Sequence, residues 1–198
     1  MFFGINLLAT LGSTVLPAMV LVKTGMSEAA LAPVRSAAGL GGVAGGLLLS
    51  LWGEPRKRVH GVFLGMALCS LALAPMGAVE GPSAWAVLAF LESLFIPVLN
   101  GSNQAIWQAK MPLAVQGKVF AAMRMIAWCA NPLAMLLAGP LADRVFGPRY
   151  GQGEGIALMR LLCGSLGVFW GLSGYLLPRV REVESLLPDA KEDQAAAP

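Results

Sequence analysis

The sequence predicts an all-α membrane protein of six transmembrane helices, and three observations carry that expectation. Of its 198 residues, 57% are hydrophobic and only 13% are charged, whereas a soluble domain of this size carries about a quarter charged residues. Glycine is abundant at 24 and proline stands at 13, a composition tolerated in lipid-embedded helices. Six stretches are also long enough to cross the hydrocarbon core, which takes about 20 helical residues at a rise of roughly 1.5 Å each.

Those stretches run over 2–22, 32–52, 59–79, 83–107, 119–141 and 155–177. The first is too long for a signal peptide and has no basic stretch before it. The connections are short, so helices adjacent in sequence should be neighbours in the bundle. Residues 1–178 then form one six-helix domain, and 179–198 form a polar tail expected to be disordered. Lysine and arginine in the connections set the orientation. Arg56, Lys57, Arg58, Lys110, Lys118, Arg179 and Arg181 fall on one side; Lys23, Arg144 and Arg149 fall on the other. The richer side is expected to be cytoplasmic, which puts both termini inside and the chain in the inner or plasma membrane. Trp52, Trp85, Trp107 and Tyr175 sit near helix ends, where amphipathic rings favour the interface.

Cys69, Cys129 and Cys163 lie in apolar runs without a CxxC spacing, so they read as small packing residues rather than metal or redox groups. His60, beside Arg56, Lys57 and Arg58, reads as solvated or headgroup-facing. No metal or cofactor is expected, and nothing marks a nucleic-acid binder.

Small residues let helices approach each other in lipid. The second helix carries Gly39, Gly41, Gly42, Gly45 and Gly46, with two overlapping GxxxG spacings; the sixth carries Gly164, Gly167, Gly171 and Gly174 on one face. Polar faces inside spans need other helices or a watery cavity. On the first helix, Asn6, Thr10, Ser13 and Pro17 share a face, and both interhelical bonding and cavity lining fit them. On the fourth, Glu92, Asn100 and Asn103 fall within an arc of about 80°.

Arg35, Glu92, Arg124 and Arg160 are ionisable residues within spans, where each is a functional candidate. Arg35 and Arg160 begin their helices, so reaching toward headgroups accounts for them; Arg124 lies deeper, and either reading fits it. Glu92 is short and near the midplane. It reads as a proton carrier or substrate contact, as half of a structural pair with an arginine, or as a neutral buried acid. Pro17, Pro75, Pro97, Pro132 and Pro140 predict kinks; Pro97 lies between Glu92 and Asn100 on the polar face.

After the second helix the chain reads Gly46-Leu-Leu-Leu-Ser-Leu-Trp-Gly53-Glu-Pro-Arg56-Lys57-Arg58. This resembles the loop GxLxD(R/K)xGR(R/K) of the major facilitator superfamily, with Ser50 in place of the acid and Glu54-Pro55 displacing the basic run. A second copy follows the fifth helix as Gly139-Pro-Leu-Ala-Asp143-Arg144-Val-Phe-Gly147, with its second glycine one residue late. The stretches Asn100 to Pro112 and Gln116 to Phe120 are most similar to the branch holding macrolide efflux proteins and siderophore exporters.

The resemblance implies one six-helix half of a major facilitator fold, a 3+3 inverted repeat equivalent to the C-terminal half. The first and fourth helices would line the cavity, and those are the helices with polar faces. Asn6, Thr10, Ser13, Glu92, Asn100 and Asn103 would then form the substrate or proton pathway, with the sixth helix peripheral and Arg160 packing or snorkelling rather than touching substrate. The implied activity is proton-coupled efflux of a lipophilic or amphiphilic small molecule. The implied partners are the bilayer, that substrate, and either an N-terminal six-helix half or a second copy. Met1 stands directly before an apolar run, which favours a truncation. The alternative is a non-transporting remnant or assembly subunit. Enzyme chemistry is not expected, since HExxH, GxSxG and a phosphate-binding loop are missing from the sequence.

Overall fold

A computed structural model describes residues 2–53, 57–182 and 184. Among them, every regular element is helical. Six helical stretches are long and apolar enough to cross a membrane: Phe3–Lys23, Glu28–Leu51, Arg58–Gly77, Pro82–Lys110, Leu113–Tyr150 and Gln152–Leu176. These six spans correspond in order to the six stretches read from the sequence.

The first span is broken. It consists of α1 (Phe2–Thr14) and α2 (Leu16–Lys23), separated at Val15. Pro17 has no N–H for the Ser13 carbonyl, so the ladder is interrupted at this turn. The second span is α3 (Glu28–Trp52), ended by Gly53 at φ 73°, a backbone conformation open to glycine. The third is α4 (Arg58–Leu73), which tightens into a 3-10 turn, Ala74–Gly77, at Pro75. The fourth is α5 (Pro82–Lys110), and Pro97 lies inside it without ending the helix.

The fifth span departs most from expectation. α6 (Leu113–Pro140) does not stop at a loop after Leu141 but continues through a π turn, Leu141–Phe146, into α7 (Gly147–Tyr150). Pro140 withholds a backbone N–H, and the ladder widens by one residue instead of ending. Asp143 and Arg144 therefore belong to a helical extension, and Gly139 to α6 itself, not to a loop. The sixth span is α8 (Gln152–Ser173) with a 3-10 turn, Gly174–Leu176, followed by the short α9 (Pro178–Arg181). Most of the segment expected to be a disordered tail, and Arg56 of the first motif copy, lie outside the described residues.

Packing follows the small residues. A side chain at Gly41 or Gly45 would collide with the Phe90 and Leu94 backbone, so the second and fourth spans meet there at glycine distance. Gly164, Gly167, Gly171 and Gly174 face Ala74, Ser70, Ala67 and Phe63 respectively, seating the sixth span on the third. The first span packs on the fifth and sixth, the second on the fourth, and the third on the fourth and sixth. Exchanging spans one to three with four to six leaves this set of pairs unchanged. The apolar core gathers Met19, Val34, Met76, Trp85, Ala134 and Met159. Trp85 is a core residue rather than an interfacial one: it is 2% exposed, and its Nε1 donates to the Val79 carbonyl at 3.0 Å.

Candidate functional site

Two charges meet within the spans. Glu92 on α5 and Arg160 on α8 approach at 3.5 Å between Oε2 and Nη2. Arg160 has no exposed side-chain surface, whereas 16% of Glu92's remains exposed. Of the two readings open to it, packing and reaching toward headgroups, the arginine takes the first. It lies one turn before Gly164 on the face that packs inward, and that direction encloses it. Its Nη1 donates to the Gly12 carbonyl on α1, and Nη2 also contacts the Met76 sulfur at the end of the third span. Its Nε has no hydrogen-bond partner among the described residues. The guanidinium thus joins spans one, three, four and six. A charge taken out of water is tolerated when a counter-charge and acceptors meet it; here a carboxylate and a carbonyl do so. The sixth span is consequently not peripheral to the charged centre of this chain.

Two thiols lie near the pair. Cys69 on α4 lies within electrostatic range of Glu92, and Cys163, one turn from Arg160 on α8, within range of the guanidinium. Among the described residues, no three His, Cys, Asp or Glu side chains are grouped to hold a metal ion.

The other polar positions are distributed along the spans. Thr10 Oγ1 donates to Asn131 Oδ1 at 2.9 Å, which ties the first span to the fifth. Ser13 is exposed and its hydroxyl donates to the Thr10 carbonyl at 3.2 Å; Asn6 is half-buried. Asn100 is exposed, and Asn103 Oδ1 accepts from Trp107 Nε1 at 3.2 Å. They share a helix with Glu92 but lie about 12 and 16 Å further along it at the helical rise. The carboxylate is thus gathered with Arg160, not with the asparagines. Asn131 and Met76 drew no attention in the sequence. Arg35 and Arg124 are exposed on the second and fifth spans, as are Asp143 and Arg144.

The two ends of the bundle are stitched differently. At one end Lys23 meets Glu154 at 2.7 Å and Glu80 at 3.7 Å, linking the first span to the connection before the fourth and to the sixth. At the other, Arg58 Nη1 donates to the Ala105 carbonyl at 3.4 Å, and Lys110 Nζ to the Glu184 carbonyl at 2.5 Å. The Glu184 carboxylate accepts the backbone N–H groups of Arg58 and Val59 at 3.2 and 3.3 Å, a favourable place for an anion at the start of α4. His60 is not simply solvated: it stacks on Tyr175 and shares a 3.0 Å hydrogen bond with its hydroxyl. A cavity of about 420 Å³ lies here, lined by Lys57, Val59, His60, Arg181, Glu182 and Glu184.

Among curated proteins, the multidrug efflux pump Tap of Mycolicibacterium fortuitum is 31% identical to this chain over 99 residues, 50% of the chain and 21% of the relative. Macrolide efflux protein A of Streptococcus pyogenes is 28% identical over 103 residues, 51% of the chain and 25% of the relative. The chain resembles bacterial efflux pumps. The likeness to macrolide exporters read from the motifs is borne out by these relatives. The aligned stretch spans about a quarter of their length or less. No family model matches the chain, and no solved structure matches it.

Proposed function

We propose that the chain is the C-terminal half of a major-facilitator-type exporter that moves a lipophilic or amphiphilic small molecule out of the cell in exchange for protons. The observation that carries this reading is Glu92, a carboxylate within a span, partly exposed, with its counter-charge fully enclosed behind it. A proton or a cationic substrate reaching the exposed edge of Glu92 competes with the guanidinium enclosed behind it. Neutralising the carboxylate leaves Arg160 unbalanced, so the two charge states of Glu92 favour different packings of the spans around it. Likeness to two efflux pumps supports the direction and the drug-like class of cargo.

Transport by alternating access needs two halves rocking about a shared site near the midplane. The interchange symmetry of the span contacts supports one such half built from a three-helix repeat. An N-terminal six-helix half, or a second copy of this chain, supplies the opposing wall. The concentration of lysine and arginine at the Lys57–Arg58 end supports placing that end, and both termini, in the cytoplasm of a bacterial inner membrane.

The test is substrate efflux from proteoliposomes under an imposed pH gradient, with the chain alone and together with a candidate N-terminal half. Activity of the pair, silence of the chain alone and loss of pH dependence in Glu92→Gln are the expected results. Unchanged pH-driven efflux by Glu92→Gln would remove the carboxylate from the mechanism.

A further inference from the structure

The break in the first span and the charged pair meet in one side chain. α1 ends at Thr14 and α2 begins at Leu16, while Pro17 provides no N–H to the Ser13 carbonyl. One residue upstream, the Gly12 carbonyl accepts a hydrogen bond from Arg160 Nη1, although the two residues are 148 apart in sequence. The other terminal nitrogen of the same guanidinium faces Glu92. A planar fork of this kind addresses two acceptors at once in a fixed geometry, which an ammonium cannot reproduce.

We propose that Arg160 is a positioning residue that couples the charge of Glu92 to the break in the first span. The inference rests on the reading of Glu92 as the group that changes charge during transport, and it adds where that change is felt. With Glu92 ionised, the guanidinium is balanced and stays enclosed, with one arm capping the carbonyl beside the break. With Glu92 neutral, the enclosed cation has lost its counter-charge, a costly state within a span. It shifts toward water and withdraws from Gly12. The freed carbonyl loosens the break, and the face carrying Asn6, Thr10 and Ser13 moves relative to the rest of the bundle. Cys69 and Cys163 are the neighbouring thiols on the packed elements, and neither supplies a replacement anion unless it ionises.

Amide hydrogen exchange of the 198-residue chain in lipid nanodiscs tests the coupling, read over residues 12–19, around the break. Glu92→Gln lies on a different span, yet it is expected to raise exchange there about five- to tenfold, within the range of site-to-site coupling. Arg160→Met should raise it by a similar factor, and the double variant should add little, because both changes act through one contact. Glu92→Asp, which keeps the charge, should remain close to wild type. Arg160→Lys keeps the charge but lacks the fork, so it should pair with Glu92 while exchange at the break rises. Protection of residues 152–159 reports that the bundle is intact; if Glu92→Gln loses it, the Asp and Lys variants carry the test. Wild-type exchange at the break in Glu92→Gln, or in Arg160→Lys where Glu92→Gln has unfolded, overturns the proposal, as does simple additivity of the single variants. Coupling without efflux would retire the exporter reading and leave this inference standing, whereas pH-driven efflux without coupling would do the reverse.

Discussion

Arg160 carries a full charge, no exposed surface and a nitrogen that lacks a partner among the described residues, so its energetics are asymmetric. Removing one member of a buried pair strands the other, at a cost of roughly 3–5 kcal/mol, whereas replacing both with apolar side chains of similar volume is often close to neutral. Glu92→Leu and Arg160→Met are therefore expected each to lower the thermal unfolding midpoint in detergent, and their combination to recover most of the loss. A double variant as unstable as the sum of its parts would count against the pair. The Thr10–Asn131 bond is smaller in scale: Thr10→Val should cost on the order of 1 kcal/mol, the size usual for interhelical hydrogen bonds in lipid. The sequence marked Glu92 and Thr10 by their polarity within apolar runs. It also held a signal for Arg160 that helix position alone concealed. At 100° per residue, Arg160 continues the face of Gly164, Gly167 and Gly171, and a residue on a close-packed face cannot reach headgroups. The Asn131 and Met76 contacts were not legible, because they depend on which spans meet, and periodicity within one helix does not encode that.

The elements divide their glycines by what lies opposite. Gly41 and Gly45 form one of the two GxxxG spacings on α3, and a β-carbon on either would meet the backbone of α5; Gly42 and Gly46 form the other and have open space. Gly41→Ala should therefore force the second and fourth spans apart and destabilise the fold by about 1–3 kcal/mol, the usual range for overpacking. Gly42→Ala should be neutral or stabilising by up to about 1 kcal/mol, since alanine gives up less backbone freedom in a helix. Equal unfolding midpoints for the two variants would mean that this seam is not where the spans touch. All six spans were legible because each satisfies the same length and apolarity requirement. The extension of the fifth was not: Pro140 and the polar Asp143-Arg144 read as the end of a helix, yet a π turn carried the backbone past them. The break in the first span was foreshadowed by Pro17, whereas Pro97 and Pro132 lie within helices that continue around them.

At the scale of the whole molecule, the two motif copies mark a repeat whose register can be followed into the packing. Setting Gly46 over Gly139 places Gly41 and Gly45 over Ala134 and Ala138, and each set of small residues is turned inward, the glycines against the fourth span and the alanines into the core beside the first. The opposite faces of these two equivalent spans are open. Leu40, Val43 and Leu47 on α3 and Met125, Ile126 and Trp128 on α6 are exposed, and Arg35 and Arg124 share those spans. Lipid covers exposed leucine and methionine at no cost, but an arginine within a span calls for a polar neighbour or water. A second wall packed on the second and fifth spans would provide both, and it is what alternating access requires. Cys129 lies on this open face of α6 and is exposed, whereas Cys163 is buried and Cys69 half-buried, so the native thiol reports the seam without engineering. In membranes containing the chain alone, mild oxidation should give a disulfide-linked dimer that Cys129→Ala abolishes. Co-expression of an N-terminal six-helix half should suppress that dimer and shield Cys129 from a membrane-permeant maleimide. If Cys129 reacts at the same rate with and without the partner half, the opposing wall does not sit on these spans, and the half-transporter arrangement needs a different seam.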